Sequence, residues 1–117
     1  MTSTKVKENR FKAKIFRALS DPVRLQILDF FRNGEKCVRE ISPHIGLIQP
    51  VVSRHLKILK DSGIVRDKKD GNKRLYSITD QRVFQIFDGI TPELVKEYKT
   101  YSASIDIKRQ FVQPAVF

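Results

Sequence analysis

A mainly α-helical fold with one small β-hairpin is what this sequence predicts, and three observations carry the prediction. Apolar residues recur at helical spacing along most of the 117 residues, in segments punctuated by Gly34, Gly46 and Gly63. One pair of β-prone runs flanks Asp70-Gly71-Asn72, and Asp-Gly in that setting is a strong hairpin signal. At 40% hydrophobic, the chain can bury a core, though a small one that would gain from dimerisation.

Phe11, Ile15, Ala18 and Leu19 stand at i, i+4, i+7 and i+8, so a first helix is expected over about Lys5 to Leu19. Ser20-Asp21-Pro22 restarts the chain. Asp21 can cap the next helix, and Pro22 takes its first position, where the missing N–H costs nothing. This second helix should run to Arg32 or Asn33 and stop at Gly34. Val23, Leu25, Ile27, Leu28, Phe30 and Phe31 wrap nearly all round it, which predicts a central core helix.

A short third helix is expected between Val38 and Ile45, with Pro43 as an awkward interior residue that removes a hydrogen bond. Gly46-Leu47-Ile48 then turns into a fourth helix, about Gln49 to Ser62, closed by Gly63. The hairpin joins Ile64–Lys69 to Lys73–Ile78. Thr79 or Asp80 should cap a fifth helix, whose Val83, Phe84, Ile86, Phe87 and Ile90 leave too much apolar surface for one small domain. Thr91-Pro92-Glu93 opens a further stretch with Leu94, Tyr98, Tyr101 and Ile105 at helical spacing. From Asp106 to Phe117 no period is clear, and the apolar end (Phe111, Val112, Val116, Phe117) suggests packing on a partner subunit. The expected division is a domain over residues 1–90 and a helical arm and tail over 91–117.

A short helix, a tight turn, a second helix and then a hairpin make a winged helix-turn-helix. Its charge is distributed to match. The net +10 lies wholly in two blocks. Residues 1–17 hold six cations against Glu8, and residues 54–74 hold eight against Asp61, Asp67 and Asp70. Segments 18–53 and 75–117 each sum to zero. Surplus concentrated in this way has the form of a polyanion footprint.

Around the fourth helix, residues spaced at about 100° fall into two sides. Val51, Val52, Leu56, Ile58 and Leu59 gather on one side, with His55 among them; Gln49, Pro50, Ser53, Arg54, Lys57, Lys60 and Asp61 gather on the other. The first side should fix the helix to the core and the second should enter a DNA groove. Gln and Arg can meet adenine or guanine edges in pairs of hydrogen bonds, Ser can donate or accept, and Lys mainly meets phosphate. Gln49, Ser53 and Arg54 are therefore candidate base readers beside Pro50, with Lys57 and Lys60 on phosphate. Arg66, Lys68, Lys69, Lys73 and Arg74 flank the hairpin tip and would lie along the backbone or an adjacent minor groove. His55 is expected to pack inward and bond a backbone group, and His44 to be exposed. Lys5 and Lys7 are candidates to extend the footprint.

Other classes find little support. No Ser-His-Asp set, Gly-rich phosphate loop or metal cluster is evident, so no enzyme, cofactor or metal site is expected. The single cysteine, Cys37, excludes an intrachain disulfide and suits a reducing cytoplasm. It is a candidate redox residue, with an ordinary half-buried thiol as the favoured plain reading. No apolar run approaches the roughly 20 residues of a membrane span, and the N-terminus lacks a signal-peptide core.

Ala18-Leu19-Ser20-Asp21-Pro22-Val23-Arg24-Leu25-Gln26-Ile27-Leu28, followed by the run from Gln49-Pro50-Val51-Val52-Ser53-Arg54-His55-Leu56-Lys57 to Gly63-Ile64-Val65, resembles the ArsR family of winged-helix repressors. The likeness covers roughly residues 10–90. It implies a homodimer formed through the first and fifth helices, bound to an imperfect inverted repeat in double-stranded DNA. It also implies a sensor that this chain does not reproduce. Cys37 aligns with the first cysteine of the family's Cys-x-Cys, but Arg39 stands at the second. The other family site uses Asp and His on the fifth helix; here Asp80 and Asp88 are present, with no histidine after His55. The leading expectation is a homodimeric, sequence-specific transcriptional regulator, a repressor without metal sensing. Alternatives are a sequence-tolerant architectural DNA-binding protein, and a winged helix used for protein contacts through the Leu94–Phe117 arm. Nothing identifies a small-molecule effector.

Overall fold

The computed structural model describes residues 2–111. In order the elements are α1 (Thr2–Leu19), α2 (Pro22–Phe30), α3 (Val38–Ile45), α4 (Gln49–Asp61), β1 (Val65–Asp70), β2 (Lys73–Ile78), α5 (Val83–Asp88) and α6 (Pro92–Phe111). The chain forms two compact units, Met1–Asp80 and Gln81–Phe117. The mainly helical fold with a single antiparallel hairpin is the predicted one.

In the first unit α2 starts as its sequence dictates. Asp21 holds extended backbone, and its Oδ1 accepts from the amides of Val23 at 2.8 Å and Arg24 at 3.2 Å, with Pro22 entering the first turn. The helix ends earlier than expected, at Phe30, because its last turn tightens into a 3-10 turn over Phe31–Asn33 before Gly34 at φ +123°. Nor is α2 buried all round. Ile27, Leu28 and the following Phe31 are sealed, whereas Leu25 is exposed and Phe30 only half-buried. Ile41 of α3, Val52, Leu56 and Leu59 of α4, and Val65 of β1 complete the sealed core. Burying each such side chain stabilises the fold by about 1.5–3 kcal/mol before entropy is counted.

α3 passes through Pro43 without a break. Pro43 forfeits one hydrogen bond, and the helix closes three residues later at Gly46 (φ +82°), whose amide donates to the Ser42 carbonyl at 2.9 Å. One missing bond so near an end is tolerated. β1 and β2 pair in register from Val65↔Ile78 to Asp70↔Lys73. Gly71 has φ +61° and Asn72 stays outside the left-handed region, which is the type II′ loop that suits twisted strands. An isolated bridge, invisible in the sequence, ties Lys36 to Tyr76 by paired backbone bonds of 2.9 and 2.8 Å, so the loop before α3 is stitched to β2.

In the second unit, α5 has Arg82 at its N-cap without a side-chain bond, so the predicted Thr79 or Asp80 cap is not what begins it. Phe84 is buried and meets Phe87 edge to face at 5.5 Å. Thr91 caps α6 as expected, its Oγ1 accepting from the Leu94 amide at 3.2 Å. α6 continues to Phe111, through the stretch from Asp106 where the sequence shows no period. The side chain of Phe111, and Val112, Val116 and Phe117, lie outside the described residues. No helix among the described residues is long and apolar enough to cross a membrane.

Candidate nucleic-acid interface

Helix α4 is seated by Val52, Leu56 and Leu59, each completely buried, at i, i+4 and i+7. Ile58, expected on that face, is 43% exposed. At about 100° per residue it stands some 130° from the centre of the buried stripe, well outside it. Val51 is half-buried. The opposite face is open: Gln49, Pro50, Ser53, Arg54, Lys57 and Lys60 are all exposed, as the sequence predicted. Ile48 precedes the helix in extended backbone and offers no side-chain cap to its first amides.

His55 is half-buried but does not bond a backbone group. Its Nδ1 lies 3.3 Å from Nη1 of Arg24. A guanidinium only donates, so Nδ1 is the acceptor and, in the neutral ring, Nε2 carries the proton. The same arginine donates through Nε to the Ala18 carbonyl at 2.6 Å and through Nη2 to the Arg17 carbonyl at 3.3 Å. One side chain of α2 thus pins the end of α1 and the back of α4. Asp21 sits 3.9 Å away. Partial burial works against the Asp21 carboxylate, but bonds from the Arg24 and Val23 amides, with the Arg24 charge, outweigh it and lower its pKa.

The hairpin presents the other predicted cations, and here ion pairs change the picture. Asp67, only 8% exposed, accepts from Lys60 Nζ on α4 and from Arg74 Nη1 on β2, both at 2.9 Å. The Lys60 bond first, and the Arg74 bond after it, hold the Asp67 carboxyl below its ordinary pKa despite the opposing effect of burial. Lys57 pairs with Asp61 at 3.0 Å and Lys68 with Glu35 at 3.3 Å, both at the surface. Arg54, Arg66, Lys69 and Lys73 are exposed and make no ion pair among the described residues. A cleft of about 400 Å³ lies between α4 and the hairpin, lined by Ser53, Lys57 and Lys60 on one side and Asp67, Arg74 and Tyr76 on the other.

A second cleft, about 330 Å³, brings Gln49 together with Arg39 of α3 and with Asn72, Lys73 and Arg74 at the hairpin end. Arg39 and Asn72 were not among the contact residues expected from the sequence; the place of Arg39 at the second position of α3, the first helix of the pair, was the available signal. Cys37 also lines this cleft, yet its side chain is buried. It occupies the N-cap of α3, its amide donating to Glu40 Oε1 at 3.1 Å. That bond, and one from the Cys37 side chain, lower the Glu40 pKa. Among the described residues no group of three His, Cys, Asp or Glu could hold a metal ion.

The model of the arsR family of bacterial regulatory proteins matches residues 21–67, from the Asp21 cap to the Asp67 clamp. An uncharacterised HTH-type transcriptional regulator of Methanocaldococcus jannaschii is 45% identical over 75 residues, spanning 63% of this chain and 84% of that one. The chain belongs to the ArsR family. Another relative, a probable mercury resistance operon repressor of Streptomyces lividans, is 48% identical over 71 residues. That match covers 61% of this chain and 57% of the repressor's length. Among solved structures, the homodimeric winged helix-turn-helix DNA-binding domain of a Mycobacterium bovis protein superposes with a TM-score of 0.72 at 28% identity. It covers 80% of this chain and 89% of that one.

Proposed function

We propose that this ArsR-family chain is a homodimeric, sequence-specific double-stranded-DNA-binding transcriptional repressor, acting in the cytoplasm and not as an enzyme. The observation that carries the reading is the open face of α4, where Gln49, Ser53 and Arg54 stand clear of the protein on a helix whose other side is sealed. Those three residues read base edges in the major groove, beside Pro50. Lys57, Lys60, Arg66, Lys68, Lys69, Lys73 and Arg74 hold phosphates and set the register. Residues 1–90 form the DNA-binding domain with its dimerisation helices, and 91–117 an added arm. Two-fold symmetry makes the operator an inverted repeat. Repression does not rest on metal binding, because Arg39 stands where a second thiol would be needed.

Competition binding at fixed salt tests the reading. Sequences selected from a random duplex pool should outcompete scrambled duplexes by about 10³ or more. Arg54→Ala should weaken binding to the selected site by about 1–3 kcal/mol and relax one position. Equal affinity for scrambled DNA would leave an architectural protein instead, and negligible affinity near physiological salt a protein-docking domain.

A further inference from the structure

Half of the surplus charge lies on α1, in a pattern the spacing of residues makes specific. At about 100° per residue, Lys7, Arg10, Lys14 and Arg17 fall within about 80° of arc, while Lys5 and Lys12 point to the far side. All four are exposed, and none makes an ion pair among the described residues. Glu8, the one acid of the segment, lies away from them, and the first turn of α1 holds no acidic residue. Like charges at i+3 and i+4 repel, and only Arg17, in the last turn, is favoured by the helix dipole. The stripe therefore weakens the isolated helix, and a polyanion laid along it removes the strain.

The rest of the first unit has little acid to offer it. Asp21, Asp29, Asp61, Asp67, Glu35 and Glu40 are each engaged by nearer groups, Asp80 has a partner of its own, and Asp70 stands at the hairpin turn. From Lys7 to Arg17 the stripe runs about 15 Å, and because a strand winds as it rises about 3.4 Å per nucleotide its phosphates stand about 7 Å apart, so the four cations face about two or three of them. We infer that the Lys7–Arg10–Lys14–Arg17 face of α1 is a second DNA-backbone surface, gripping the phosphates of one strand beside the site read by α4. The inference rests on the DNA-binding reading above and adds a surface to it. Such contacts raise affinity and salt dependence and leave base preference untouched.

The test is the slope of log affinity against log salt for the full chain on its selected duplex. Changing Lys7, Arg10, Lys14 and Arg17 all to Gln should reduce the slope by about 2–3 per protomer, with site preference unchanged. Lys12→Gln, off the stripe, should change it far less than Lys14→Gln does. If the fourfold variant fails to fold by circular dichroism, Arg10→Gln with Lys14→Gln should remove about half as much. An unchanged slope, or an equal fall in the off-stripe variant, overturns the assignment. So does a fourfold variant whose slope holds but whose monomer–dimer equilibrium shifts, since the stripe would then face a second copy of the chain. A chain that shows the slope change but no preferred site would overturn the repressor reading and leave this surface standing.

Discussion

Asp67 shows how one inward carboxylate reorganises a surface that looks uniformly basic. Strand parity turns it toward α4, where it meets two cations on different elements, Lys60 and Arg74, that stand 14 residues apart in the sequence. Its pKa is depressed, so the stability it contributes is fully present above the unfolded value of about 3.9 and is lost as pH falls through the lower folded value. Asp67→Asn should therefore cost about 1–2 kcal/mol at pH 7, reduced by the half-exposure of Lys60 and Arg74. Urea midpoints should show that gap closing well below pH 4, where the wild-type carboxyl is itself neutral. A gap equal at both pH values would mean that shape, and not charge, holds the clamp.

The elements themselves were largely legible, and the failures share a cause. α3 occupies the predicted Val38–Ile45, and the hairpin and α4 begin and end within a residue or so of expectation. In each case strong local chemistry decides: a left-handed glycine, a cap, or a sharp apolar stripe. α6 was cut short because Tyr, Ser and Ala along it give a weak stripe, and local composition alone cannot say how far a helix persists. The outward face of α4 was readable from the positions of Val52, Leu56 and Leu59. Its ion pairs were not, because they depend on how the hairpin docks against the helix. Gly63 gives a direct check at this scale. It ends α4 at φ +83°, and nothing lies within 4 Å of where a Cβ would stand, so Gly63→Ala adds backbone strain without a clash. The expected loss is about 1–2 kcal/mol by denaturant midpoint; no loss would show that the junction relaxes freely.

For the molecule as a whole, the uncovered apolar surface is the dominant fact. Val6, Phe11 and Phe16 on α1 are 42–58% exposed, and Tyr98 and Tyr101 on α6 are 67% and 64% exposed. Large apolar side chains left in water at both ends of the chain are what a dimer would cover. Sedimentation equilibrium should therefore give twice the chain mass at micromolar concentration, with a melting temperature that rises with concentration. A monomer with a concentration-independent melt would remove the two-fold symmetry on which an inverted-repeat site depends.

The two-residue connection at Gly71-Asn72 leaves the hairpin no slack. Six residues per strand at about 3.3 Å make an arm of about 20 Å, a fixed ruler for how far from α4 its tip can touch down. Pleat parity locks the ruler's two sides as well. Lengthening each strand by two residues would move the tip outward by about 7 Å with its faces preserved. A slip of one residue would carry Asp67 to the solvent side and swing its neighbours Arg66 and Lys68 inward, exchanging the grip and its anchor.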